Sequence, residues 1–374
     1  MMNLTITGRY RKAWLKWLNQ KNRKMKESLY TLTILGMDYP TLWFLVVGGL
    51  FSGYAILDGF DLGAGAWHLF FKKDKNRRIA LNAVGPVWDG NEVWLVIGGG
   101  ALFAGFPVVY ASMFSAMYIP FMLFLAFLIF RAVSIEFRGK EQMKWWRNLW
   151  DVSYSISSAM LAILLGVVMG NVLQGIGIGP GYEFTGHWLE FINPYSVMVG
   201  ITTLALFMMH GAIYLVMKTE GKLYERLRGL LRSSIIFFIV SYIMVTMYTL
   251  IFIPHLSDRF RSSPELFIVP MLAFLSIANI PRLATKGKYL QAFIFSSISV
   301  SFLLILVAIE LYPVLVISTI DPAYNITIYN AASSEKALGI MLTITAIGGP
   351  LVLIYTWFVY KTFWGKVKLD ETSY

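Results

Sequence analysis

The stretch TLWFLVVGGLFSGYAILDGFDLGAGAW, residues 41–67, decides the fold. It is longer than the ~20 residues needed to cross ~30 Å of hydrocarbon, and its only charges are Asp58 and Asp61. A segment this apolar satisfies its backbone groups in lipid only as a helix. Further runs of the same kind follow near 83–105, 110–133, 151–173, 194–217, 233–254, 265–281, 289–313 and 337–360. The expectation is an all-α polytopic integral membrane protein with about nine transmembrane helices. Its domains are a basic extension, 1–36, and a single membrane domain, 37–374.

Composition excludes the other classes. Of 374 residues, 57% are hydrophobic and 14% charged, with a mean hydropathy of +0.62. Soluble domains carry about 25% charged residues, so a globular enzyme, a disordered chain and a coiled coil are all ruled out. The absence of cysteine removes disulfides, iron–sulfur clusters and thiolate haem ligands together. The net charge of +11 does not imply nucleic acid, because most of the cations sit in short loops between apolar runs.

Those loops predict orientation. One side collects 21 Lys and Arg, Arg131 counted among these loop cations, and the other only Arg259, Arg261 and Lys336, which places the first side and the C-terminus in the cytoplasm. Nine spans then put residues 1–36, with eight cations, outside. The charge rule opposes that placement, so the natural start is expected at Met37. An interfacial helix carrying Trp14, Leu15, Trp17 and Leu18 is the competing reading.

A charge at mid-bilayer costs at least ~2.5–3.5 kcal/mol, so intramembrane acids need a reason. Asp58 and Asp61 share one helix face in the first span, Asp89 and Glu92 repeat the spacing in the second, and Glu310 lies in the eighth. The four acids of the hairpin fall at similar depth. Three readings stand open: a relay in which raised pKa values let carboxyls pass protons, a hard-cation site at Asp58, Asp61 and Asp89, and structural pairing with a neighbouring helix. Gly59, Gly63 and Gly65 suit close helix contact, which fits all three. Histidine is scarce, with only His68, His187, His210 and His255. Of these, only His210 sits well inside a span, where it reads as hydrogen-bonded packing. Several haems are therefore not expected in this chain, and no haem ligand is assigned. Trp94, beside the acid pair, reads equally as a packed core aromatic. An ion-coupled secondary transporter or a passive membrane anchor would also use such features, although no inverted repeat is visible.

The run Asp58-Gly59-Phe60-Asp61-Leu62-Gly63, with Trp88-Asp89-Gly90-Asn91-Glu92-Val93-Trp94-Leu95, resembles subunit II of the cytochrome bd-type quinol oxidases. The likeness continues through Gly99–Ala104, Arg147–Asp151, Gly170–Gly175 and Ile326–Ser334, and Met37-Asp38-Tyr39 resembles the family's usual start. It implies a terminal respiratory oxidase in a bacterial inner membrane, with this chain paired to a homologous subunit I. That partner would carry haems b and d and oxidise quinol, while dioxygen is reduced to water with cytoplasmic protons. A small accessory subunit, contact with membrane lipid and a structural quinone also belong to that picture.

Residue by residue, Asp89 resembles an acid on the family's proton path, Glu136 and Lys140 an acid and a lysine near its mouth, and Tyr374 the C-terminal tyrosine there. Trp94 resembles the aromatic on a dioxygen route, and Asp61 a membrane acid. Glu136 stands in place of an Asp, and Glu92 in place of a Gln.

Overall fold

A computed structural model describes residues 33–34, 36–253 and 255–369. Most of the basic extension 1–36 (residues 1–32 and 35) and Tyr374 lie outside the described residues. Two-residue strands β1 (Thr33–Ile34) and β2 (Met37–Asp38) pair antiparallel ahead of the first helix. That helix, α1, spans Tyr39–Trp67. Asp38 caps it by accepting from the Thr41 amide at 2.9 Å, and Pro40 is preset for its first turn.

The chain continues with α2 (Asp74–Val84), α3 (Trp88–Gly105), α4 (Pro107–Ala116), α5 (Tyr118–Phe137) and α6 (Lys144–Gln174). Next come α7 (Pro194–Lys218), α8 (Gly221–Phe252), α9 (His255–Ser262), α10 (Ile268–Thr285), α11 (Tyr289–Leu311) and α12 (Glu335–Thr362). Among the described residues, eight helices are long and apolar enough to cross a membrane, and α3 with α4 makes a ninth bent by 117°.

That bend corrects the expected second and third spans. The second was read from residue 83, but Gly85 and Pro86 separate the amphipathic α2 from α3 at Trp88. The third was read as 110–133, whereas the chain turns at Phe106-Pro107 into the separate α4 and crosses only as α5. Proline lacks an amide donor, so the ladder of α3 cannot continue through it. Ser333 anchors the C-terminal end of α3, donating its backbone amide to the Gly105 carbonyl at 2.9 Å and its hydroxyl to that of Ala104 at 2.6 Å.

No strand was expected, yet the end of the bundle away from the basic loops is capped by β3 (Val314–Val316) and β4 (Ile326–Thr327), an antiparallel pair. The cap also holds isolated bridges from Ile176 to Ser318 and from Ile178 to Phe184.

Helices α1, α6 and α7 form the centre of the bundle. In its most apolar stretch α7 is 72% buried, whereas α12 is 6% buried, so α12 presents its flank to whatever surrounds the chain. Glycine sets how closely the centre packs. A Cβ on Gly63 would lie 1.7 Å from the Phe207 carbonyl oxygen, and one on Gly211 2.4 Å from the Ala64 amide nitrogen. Both obstacles are backbone, so no rotamer relieves them. Gly63→Ala is therefore expected to cost about 1–3 kcal/mol, the range for overpacking, read as a lower thermal midpoint of the solubilised protein. Gly348→Ala on α12, where a Cβ meets nothing within 4 Å, should leave that midpoint unchanged or slightly raised.

Candidate functional site: a forked arginine and a carboxylate hub

Asp58 and Asp61, one turn apart on α1, are both wholly buried. The partner that compensates them comes from α5. Arg131, also wholly buried, donates through Nη2 to Asp58 Oδ1 at 2.6 Å and through Nη1 to Asp58 Oδ2 at 3.1 Å. The same Nη1 reaches Glu92 Oε1 on α3 at 3.2 Å. This forked geometry is the strong form of a guanidinium–carboxylate pair. Asn91 on α3 donates to Asp61 Oδ2 at 2.7 Å and to the Leu57 carbonyl at 3.2 Å, and Tyr360 on α12 donates to Asn91 Oδ1 at 3.0 Å. Four helices, α1, α3, α5 and α12, are thus tied at one buried polar network.

This arrangement corrects the four-acid cluster expected from spacing. Arg131 belongs to the bundle interior, not to the loop cations. Asp89, in the first turn of α3, is exposed and does not converge with Asp58 and Asp61. The proposed cation position is filled by the guanidinium, and among the described residues no group of three or more His, Asp or Glu is arranged to hold a metal. Of the three readings, structural pairing accounts for Asp58.

Other sequence candidates are distributed differently. Glu136 and Lys140 are exposed at the end of α5, at the same basic end as Asp89. Trp94 is half-buried and lies over α1, where a Cβ on Gly53 would come within 2.4 Å of its indole. Glu310 sits in the last turn of α11, far along the chain from the hairpin acids. His210 is wholly buried, its Nδ1 2.6 Å from Ser296 Oγ and its Nε2 3.0 Å from the Ile56 carbonyl. Its ring stacks on Phe293 with centroids 4.6 Å apart.

Sequence reasoning missed a second cluster. Asp151, near the start of α6 and 1% exposed, gathers three partners at the basic end. His68 Nε2 lies 2.5 Å from its Oδ1, Arg138 Nε donates to the same oxygen at 2.5 Å, and Arg77 Nη1 donates to Oδ2 at 2.8 Å. Arg138 extends to Asp74 Oδ1 at 2.7 Å, and Arg147 reaches Asp74 Oδ2 at 3.3 Å. The available signal was an acid seven residues inside a helix, with Arg138 in the loop before it and Arg147 one turn back on the same helix.

The fold and its buried network define a polytopic helical membrane protein with a buried arginine paired to the intramembrane acids Asp58 and Glu92. The sequence profile of the cytochrome bd terminal oxidase subunit II family matches residues 39–363, and the chain belongs to that family. It is 30% identical to the cytochrome bd-I ubiquinol oxidase subunit 2 of Escherichia coli strain K12, over 90% of this chain and 97% of that one. It is 31% identical to the cytochrome bd ubiquinol oxidase subunit 2 of Bacillus subtilis strain 168, over 86% and 95%. Its fold is similar to a chain of the bd oxidase structure from Geobacillus thermodenitrificans, with a TM-score of 0.72 at 18% identity, covering 87% of this chain and 98% of that one.

Proposed function

We propose that the chain serves as subunit II in a bd-type oxidase that takes electrons from quinol and passes them to dioxygen. Two quinols release four electrons and four protons on oxidation; one dioxygen consumes four of each to form two waters. The redox groups, haems b and d, belong in this reading to the partner subunit I. His210 fits that division, because it is buried and both of its ring nitrogens are engaged by protein groups. Taking the basic end as cytoplasmic, in a bacterial inner membrane, the protons for water formation enter there.

The observation that carries the proton role is the contrast between the acids. Asp58 is wholly buried and held by both Arg131 Nη atoms, whereas Asp89 opens outward from the start of an apolar helix. Exposed Glu136 and Lys140 share that end, and Tyr374 by its match to the family completes the proposed entry. A carboxylate facing lipid is costly, so Asp89 is best matched by water or a partner chain. Trp94, between α1 and α3, is the proposed border of a dioxygen route. An assembly of this kind separates charge electrogenically. A small accessory subunit or a structural quinone would sit on the open flanks, where membrane lipid otherwise lies.

The test is Asp89→Asn in the assembled oxidase. Quinol-driven oxygen consumption is expected to fall at least tenfold, in line with the 10²–10⁴-fold scale of positioned proton transfer. The haem spectrum should be retained. Unchanged turnover across pH would remove the relay and leave this chain an anchor.

A further inference from the structure

At the basic end, several cations are occupied by groups of the chain itself. Arg77 and Arg138 hold Asp151, Arg226 donates to the Phe70 carbonyl, and Lys218 and Lys366 donate to the Phe363, Val216 and Thr219 carbonyls. The mouth between α8 and α11 differs. There Tyr224 of α8 donates its hydroxyl to that of Tyr289 on α11 at 3.4 Å, with ring centroids 6.0 Å apart. Arg228, one turn on from Tyr224, holds its guanidinium 5.7 Å from the Tyr224 ring. Lys286 and Lys288 flank Gly287 in the turn that leads directly into Tyr289. The positive φ of Gly287, 69°, makes that turn tight. The acid beside Arg228 is Glu225, at 3.3 Å in an exposed pair that contributes little and exchanges freely. Lys286 and Lys288 are exposed and make no ion pair among the described residues.

We propose that Tyr224, Arg228, Tyr289, Lys286 and Lys288 form a binding site for the phosphate of an anionic phospholipid, wedged between the ends of α8 and α11. The chemistry is that of a phosphate: a planar guanidinium, two ammonium groups, and a tyrosine hydroxyl whose own proton is still free to donate. The source is lipid because of where the cluster sits. It stands at the ends of two membrane-crossing helices, where headgroups lie, and further along them, past Arg232 on α8, the flanks are apolar and open. Ile236 and Val240 of α8 and Leu290 and Ile294 of α11 are each 44–55% exposed, a surface suited to acyl chains. Helix α8 packs along α7 and meets α11 only sparsely, so in this proposal a lipid tail lies between them beneath the tyrosine bridge. The bound lipid would brace the peripheral α10–α11 pair against the central bundle.

The experiment uses the full chain purified with its co-expressed partner, in a neutral detergent. Native mass spectrometry counts retained lipid after addition of phosphatidylglycerol, phosphatidylcholine or inorganic phosphate. The wild type is expected to retain phosphatidylglycerol over phosphatidylcholine. The double variant Arg228→Gln, Lys288→Gln should lose that preference, with affinity lower by about fivefold for each charge removed. The charge-keeping pair Arg228→Lys, Lys288→Arg should bind as the wild type does, which separates charge from folding. Equal phosphatidylglycerol retention by the wild type and the Gln variant overturns the site. Inorganic phosphate displacing the lipid adduct or matching its thermal stabilisation would show a free-anion site instead, and overturns the lipid assignment.

Discussion

Replacing Arg131 with leucine is expected to destabilise the folded chain by about 3–5 kcal/mol, because Asp58 would remain wholly buried without its counter-charge. Glu92 would lose the same partner at 3.2 Å, but it is 14% exposed and can turn toward solvent or a neighbouring chain. The cost therefore falls mainly on Asp58. Two further variants isolate that cause. Arg131→Lys keeps the charge but not the fork that engages both Asp58 oxygens, so it should recover only part of the loss. Arg131→Leu combined with Asp58→Leu removes both charges and should recover most of it, since paired buried charges are often replaceable by apolar residues. Thermal unfolding of the solubilised protein, alongside its abundance in the membrane, reads all three. A single Arg131→Leu chain that melts like the wild type would falsify the ion pair as a structural element.

Much of the architecture was legible because hydropathy reports what a bilayer demands. The spans expected at 41–67, 194–217 and 337–360 match α1, α7 and α12 to within two residues at each end. Hydropathy cannot see direction, however. Gly105, Phe106 and Pro107 are as compatible with lipid as their neighbours, so a 117° turn leaves no dip in the apolar profile. Helix α8 likewise runs from Gly221, well before the expected 233, because charged residues at a membrane surface extend a helix without lowering its stability. The small cap strands are too short to show an alternating pattern.

The site was legible in part. Spacing located the acids Asp58, Asp61 and Glu92, and glycine spacing anticipated the close approach of α1 to α7. What failed was the assignment of Arg131 to a loop. It precedes Ala132-Val133-Ser134-Ile135, which continue α5, and three acids on facing helices lacked any other buried cation. Counting loop cations treats every arginine near a span end as solvated, which holds only where no carboxylate is waiting on the neighbouring helix. Asp89 shows the converse. Its spacing from Glu92 suggested a shared cluster, yet the start of α3 points the two carboxylates to different surroundings. An acidic side chain in a first helical turn is favoured by the backbone dipole wherever it points. Its presence there does not by itself imply burial.

The same logic predicts a second large effect at Asp151. Replacing it with leucine would leave Arg138, 2% exposed, and His68, 1% exposed, facing a lost carboxylate, at an expected cost of about 3–5 kcal/mol. Asp151→Asn keeps the shape and one acceptor, so it should lose less. Asp74 provides the internal comparison. It also binds Arg138, at 2.7 Å, but is 49% exposed, and an exposed pair is worth only about 0–1 kcal/mol. Asp74→Asn should therefore shift the thermal midpoint little. Burial, not the count of ion pairs, separates these two outcomes. If Asp74→Asn destabilised the chain as much as Asp151→Leu, Asp151 would not be the hub that joins the first helix to α6. In that case the end of α1, through His68, would be held instead by its apolar contacts with Tyr154, whose ring meets that of His68 edge-on at 5.1 Å.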